Sequence, residues 1–132
     1  MTNLLFIMLG GALGSGLRYL AHTAFARWFG GGFPFGILFV NVLGCLLIGA
    51  LGYLFTTPAP DAAAAQVRET WRLGLIVGVL GGFTTFSSFG YDTLKLWLDH
   101  QHAKAITNVV LSNVLGLAAV WVGYRVAERW TA

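Results

Sequence analysis

Long apolar stretches alternate with short polar breaks along this chain, and the stretches are too continuous to be the single apolar faces of helices in a water-soluble fold. Residues 3–28, 34–55, 71–98 and 105–126 each supply the roughly 20 residues a helix needs to cross a bilayer core. The pattern predicts an all-α membrane protein with four transmembrane helices, forming one domain over residues 1–132. Trp28 and Phe29 close the first run at an interface, Gly30-Gly31-Gly32-Phe33-Pro34 turns the chain, and Pro34 suits the opening of the second run. That run stops before Thr56-Thr57-Pro58-Ala59-Pro60. From there to Arg68 the polar or Ala-rich chain reads as the one linker of any length. The first run has neither a cationic leader nor a small-residue cleavage site, so it is expected to stay as a helix.

The third run carries the main irregularity. In Gly81-Gly82-Phe83-Thr84-Thr85-Phe86-Ser87-Ser88-Phe89-Gly90, two glycines weaken the helix and four hydroxyls arrive where lipid offers them no partner. A helix broken at membrane depth is the expectation. Such backbone persists where it is buried in protein or lines a polar path, with freed carbonyls suited to cations and half-helix N-termini suited to anions. Phe86 and Phe89, three apart, share a helical face, and Ser88 lies beside them. The segment is read as handling an ion.

Composition and charge sharpen this picture. The 132 residues are 57% hydrophobic and only 10% charged, which places the chain outside ordinary soluble domains. Mean hydropathy is +0.73. The net charge of +3 does not suggest nucleic acid, because the eight Lys and Arg sit at the ends of apolar runs as flank anchors rather than in a stripe. With four spans, Arg68, Arg72, Arg125 and Arg129 fall on one face and Arg18, Arg27, Lys95 and Lys104 on the other. That balance gives little orienting bias, so insertion in both orientations is expected, with a two-fold antiparallel homodimer as the simplest closed assembly. The alternative is one orientation fixed by a dominant flank such as Arg18 with Arg27. Cys45 is the sole cysteine, excluding an intrachain disulfide, and reads as a small packed residue.

Several single residues invite chemistry. Asn41, inside the second run, is a carboxamide that needs a partner, either as interhelical glue or as a donor to an ion. Arg18 is expected to snorkel to the interface, the alternative being a direct anion site; a permanent cation there could still raise local anion concentration. The positive ring edges of Phe86 and Phe89 are able to face a small anion while hydroxyls and an amide donate to it, and a lining without fixed charge favours release. Against this stands ordinary core or lipid packing of the two rings. Asp92 is expected to pair with Lys95 near the end of its span, the alternative being a proton carrier. His100 and His102 read as solvated turn residues rather than metal ligands. Gly10, Gly14, Gly74 and Gly78 read as helix-packing positions. The glycine-rich Gly10-Gly11-Ala12-Leu13-Gly14-Ser15-Gly16 follows no strand and does not spell a dinucleotide fingerprint, and no catalytic triad pattern emerges, so an enzyme is not expected.

In motif order, Gly10-Gly11-Ala12-Leu13-Gly14 with Arg18-Tyr19, Phe35-Gly36 leading to Val40-Asn41 and Gly44, and Gly81 through Phe89 resemble the small dual-topology fluoride channels called Fluc or CrcB. The last motif is the specific one, and the likeness spans the whole chain. The resemblance implies an antiparallel homodimer with two pores that passively releases fluoride from the cytoplasm and limits its toxicity, in a bacterial inner membrane. It implies that Phe86 and Phe89 form a phenylalanine box along each pore, that Asn41 lines the pore, and that Ser88 and Ser112 belong to a polar track. Arg18 matches an arginine near the end of the first span. Main-chain carbonyls of Gly81 and Thr84 are implied to hold a structural, untransported sodium ion at the dimer centre. This chain departs from the pattern in having Ser88 for a usual threonine, Ile37 for a threonine, Gly90 for a serine and Asp92 for a glutamate. Two rivals frame the reading. A small dual-topology multidrug transporter would need an acidic residue in the first span, and residues 3–28 contain none; a purely structural membrane subunit would tolerate replacement of Phe86, Phe89 and Asn41.

Overall fold

In a computed structural model describing residues 1–56 and 58–131, the chain is helical almost throughout. Thr57, part of the stop signal after the second run, lies outside the described residues. The helices are α1 (Thr2–Phe29), α2 (Phe35–Thr56), α3 (Ala62–Arg72), a π-helical stretch (Leu73–Leu80), the single turn α4 (Gly81–Phe83), α5 (Phe86–Leu98) and α6 (His102–Thr131). The stretch from Ala62 to Leu98 forms one interrupted rod, so four helices are long and apolar enough to span a membrane. This is an integral membrane protein. Large apolar side chains such as Leu9, Leu17, Leu94, Leu117 and Trp121 stand exposed, as lipid-facing surfaces require.

Two elements differ from expectation. The presumed linker is largely helix, because four consecutive alanines favour helix and Asp61 caps its start, its carboxylate accepting from Ala64 N–H at 2.8 Å. The fourth helix begins at His102, three residues earlier than the apolar run, after a tight turn in which His100 takes φ 59°. His100 N–H donates to Trp97 O at 3.1 Å and Gln101 N–H to Leu96 O at 2.9 Å, which satisfies the last carbonyls of α5. The same turn sets the His102 ring against Trp97, with centroids 4.3 Å apart.

The bundle pairs α2 along α6, and α1 along the π-helical stretch and α4. Small residues make these approaches possible. A Cβ on Gly10 would lie 2.4 Å from the Gly74 carbonyl, and one on Gly123 would lie 2.0 Å from the Leu46 carbonyl. Backbone thus meets backbone at both seams, the packing role read for Gly10, Gly14, Gly74 and Gly78.

The break falls at Thr84 and Thr85. Thr84 N–H still bonds Leu80 O at 2.9 Å, but Thr84 (ψ 153°) and Thr85 (φ −153°, ψ 118°) are extended, and α5 restarts at Phe86. Thr85 is the N-cap, its hydroxyl accepting from Ser88 N–H at 3.2 Å. Nothing in the apolar periodicity marks the π-helical stretch just before the break.

Candidate ion pathway

Asn41 holds the break open. Its Oδ1 accepts from Thr85 N–H at 2.8 Å and its Nδ2 donates to Thr85 O at 3.1 Å, so one carboxamide on α2 satisfies both main-chain groups of an extended residue. In an unbroken helix, Thr85 N–H would bond the Gly81 carbonyl and Ser88 N–H the Thr84 carbonyl. Asn41 takes the first donor and the Thr85 hydroxyl the second. The interhelical role weighed for Asn41 is therefore present. Its amide carries a second N–H, so a donor to an ion remains compatible with the clamp.

Around this clamp lies a groove of about 360 Å³ lined by Asn41, Gly81, Thr84, Thr85, Phe86, Phe89 and Ser112, with Gly44, Cys45, Ile48 and Asn113 among the rest. The Phe86 and Phe89 rings both line it and lie 5.5 Å apart at 47°, neither stacked nor perpendicular. Ser112 Oγ is buried there without a hydrogen-bond partner. A buried hydroxyl left unsatisfied is costly, and a visiting ion or water would satisfy it. Six of the eight residues singled out in the sequence, Asn41, Phe86, Phe89, Ser112, Gly81 and Thr84, meet here.

The other two lie elsewhere. Ser88 and Arg18 line a second groove of about 510 Å³ with Ser15, Tyr19, His22, Ser87 and Asp92. Thr85 joins the two grooves: its Oγ1 lies 3.1 Å from Ser87 Oγ and 3.2 Å from Ser88 Oγ, while the residue itself borders the first groove. Thr85 is buried and its hydroxyl is shared by three partners, a role that a mere count of hydroxyls in the motif did not single out. Arg18 is part-buried, at the polar mouth rather than beside the rings.

Asp92 makes no ion pair with Lys95. The described residues show salt bridges at Arg72–Glu69 (2.7 Å) and Arg125–Glu128 (2.5 Å), while Asp92 Oδ2 is buried and unpaired. Asp92 borders a cleft that His22 and Lys95 also line, but Lys95 is exposed and its ammonium stays beyond ion-pair distance of the carboxylate. Ile37, the apolar departure after Phe35-Gly36, is buried at the edge of this second groove.

With this geometry in place, comparison with known proteins settles the kinship. The family described as CrcB-like protein, Camphor Resistance (CrcB), matches residues 5–124. The chain belongs to the CrcB family. Relatives include proteins named fluoride-specific ion channel FluC from Helicobacter acinonychis strain Sheeba, 42% identical over 97% of this chain and 98% of that one. Another, from Helicobacter pylori strain J99, is 41% identical over 97% and 96%. A third, from Opitutus terrae, is 46% identical over 94% and 91%. These CrcB relatives are named as channels, in keeping with the sequence reading of a chain that is not an enzyme.

The CrcB resemblance also implied a sodium ion, and the break suits one. A hard cation takes oxygen ligands, and the Gly81 and Thr84 carbonyls have lost the helical donors that would otherwise occupy them. Gly81 is exposed on the surface of the single chain, where a second chain has access to it.

Proposed function

We propose that this CrcB-family chain is a fluoride channel, working as an antiparallel homodimer in a bacterial inner membrane and releasing fluoride passively from the cytoplasm. The observation that carries the reading is the first groove, where two phenylalanine rings, an unpartnered buried hydroxyl and a carboxamide border one space without a Lys or Arg side chain. Fluoride holds its water tightly. Donors at Asn41, Ser112 and the Thr85–Ser87–Ser88 hydroxyl chain replace part of that shell, and the ring edges add a weak positive field. The lack of fixed cations beside the rings keeps binding weak enough for release. Arg18 at the mouth of the second groove raises the local concentration of the anion.

The dimer reading draws on the four-against-four distribution of Lys and Arg and on Phe86, a pathway ring left 83% exposed in the single chain. A second copy covers it. Gly81 and Thr84 carbonyls of both chains would hold a sodium ion, which would supply a fixed positive centre joining the chains and would not itself be transported.

The test is growth. In a bacterium stripped of its own fluoride export, this chain should restore growth in millimolar-range fluoride, and Phe86→Ile should not. Continued sensitivity with the protein folded in the membrane would contradict export from the cytoplasm.

A further inference from the structure

Asn108, on α6, is the most deeply buried polar side chain among the described residues, only 1% exposed, and nothing in the ion pathway above uses it. Its Nδ2 donates to Thr93 Oγ1 on α5 at 2.8 Å, and Thr93 Oγ1 donates in turn to the Phe89 carbonyl at 2.7 Å. The Thr93 hydroxyl is acceptor and donor at once, so the two bonds polarise and strengthen each other in a low-dielectric setting. Their end point is the backbone that carries one pathway ring. Ser112 lies four residues after Asn108, hence on the same face of α6, so the bonds also register the Ser112 wall of the groove against the Phe89 wall.

We propose that Asn108 and Thr93 form a brace that sets where the Phe89 ring stands relative to Phe86 and Ser112, making both positioning residues of the pathway that do not touch the ion. The inference rests on the channel reading above. A threonine hydroxyl bonded four residues back bends its helix slightly, and α5 carries this bond one turn below the ring pair. Removing the hydroxyl lets the turn bearing Phe89 relax without changing the identity of any side chain that lines the groove.

Fluoride efflux from liposomes reads the effect. Thr93→Val, close in shape but without the hydroxyl, should slow efflux about tenfold, as should Asn108→Leu, and the double variant should be no slower than either alone. Thr93→Ser, which keeps the hydroxyl, should restore the rate. Wild-type rates in Thr93→Val, equal loss in Thr93→Ser, or losses that multiply in the double variant would overturn the brace; if Asn108→Leu fails to fold, the two Thr93 variants decide. A fluorine label on the Phe89 ring, read by NMR, separates this inference from the channel reading. Thr93→Val should shift the resonance and Thr93→Ser should not, whether or not fluoride flows, and an unmoved resonance in Thr93→Val overturns the proposal.

Discussion

At the scale of the residue, Asn41 performs two tasks with one carboxamide. The acceptor Oδ1 must meet Thr85 N–H and the donor Nδ2 must meet Thr85 O, so only an amide of this length fits both. Asn41→Asp keeps the first bond and sets a second oxygen against the Thr85 carbonyl, a mismatch that costs about 1–3 kcal/mol and adds negative charge to the anion's path. Carried into the ion's barrier, that cost lowers fluoride flux by about five- to a hundredfold, since each 1.4 kcal/mol is a factor of ten. Unchanged flux, measured with a fluoride electrode, would place Asn41 outside the pathway. Phe86→Ile removes ring edges while keeping an apolar side chain, and it should cut flux by about tenfold with the dimer intact on gel filtration. Wild-type flux in that variant would argue that packing, not the ring quadrupole, explains Phe86.

At the scale of the element, the seams between helices depend on positions where any side chain collides with backbone. Gly10→Leu brings a Cβ within 2.4 Å of the Gly74 carbonyl, and a carbonyl inside a helix cannot step aside. The α1 seam should open at a cost of about 1–3 kcal/mol. A lower midpoint in denaturation of the detergent-solubilised protein checks it, and an unchanged midpoint would show that α1 does not sit so closely. Gly16→Leu, where a Cβ meets nothing within 4 Å, is the control. The spans and the break were legible in the sequence because they follow from apolar length and from a cluster of glycines and hydroxyls, which are local properties. What was not legible depends on how helices are rotated against each other. Spacing along one helix matches Asp92 to Lys95, yet Asp92 borders clefts with His22 of α1 and forms no ion pair. Asn108 is, like Asn41, a carboxamide in an apolar run, and the same demand for a partner applies to both. Thr93 as that partner is 15 residues away along the chain, across a turn, and no period in the sequence points to it. Ser88 is next to Phe89 in sequence, but successive helical positions point to different sides, and Ser88 lines the second groove.

At the scale of the whole molecule, a chain with balanced flanks is expected to insert both ways, and the proposed pathway needs both orientations in one dimer. Adding three arginines to the segment between α2 and α3 should pin one orientation. Such a variant alone should form no conducting dimer, and co-expression with a chain biased oppositely, by arginines between α5 and α6, should bring flux back. Full flux from the first variant alone would rule out the antiparallel arrangement. Replacing sodium with a large organic cation should weaken the dimer, read as a shift toward monomer in detergent, if the Gly81 and Thr84 carbonyls hold the ion.

The most direct measurement is efflux from liposomes that contain the purified protein, with fluoride and chloride followed in parallel by ion-selective electrodes. Rapid fluoride loss with chloride retained is the predicted result, because the proposed pathway would replace the shell of a small anion with a few donors and ring edges. Retention of fluoride in liposomes shown to hold folded dimer would contradict the channel reading.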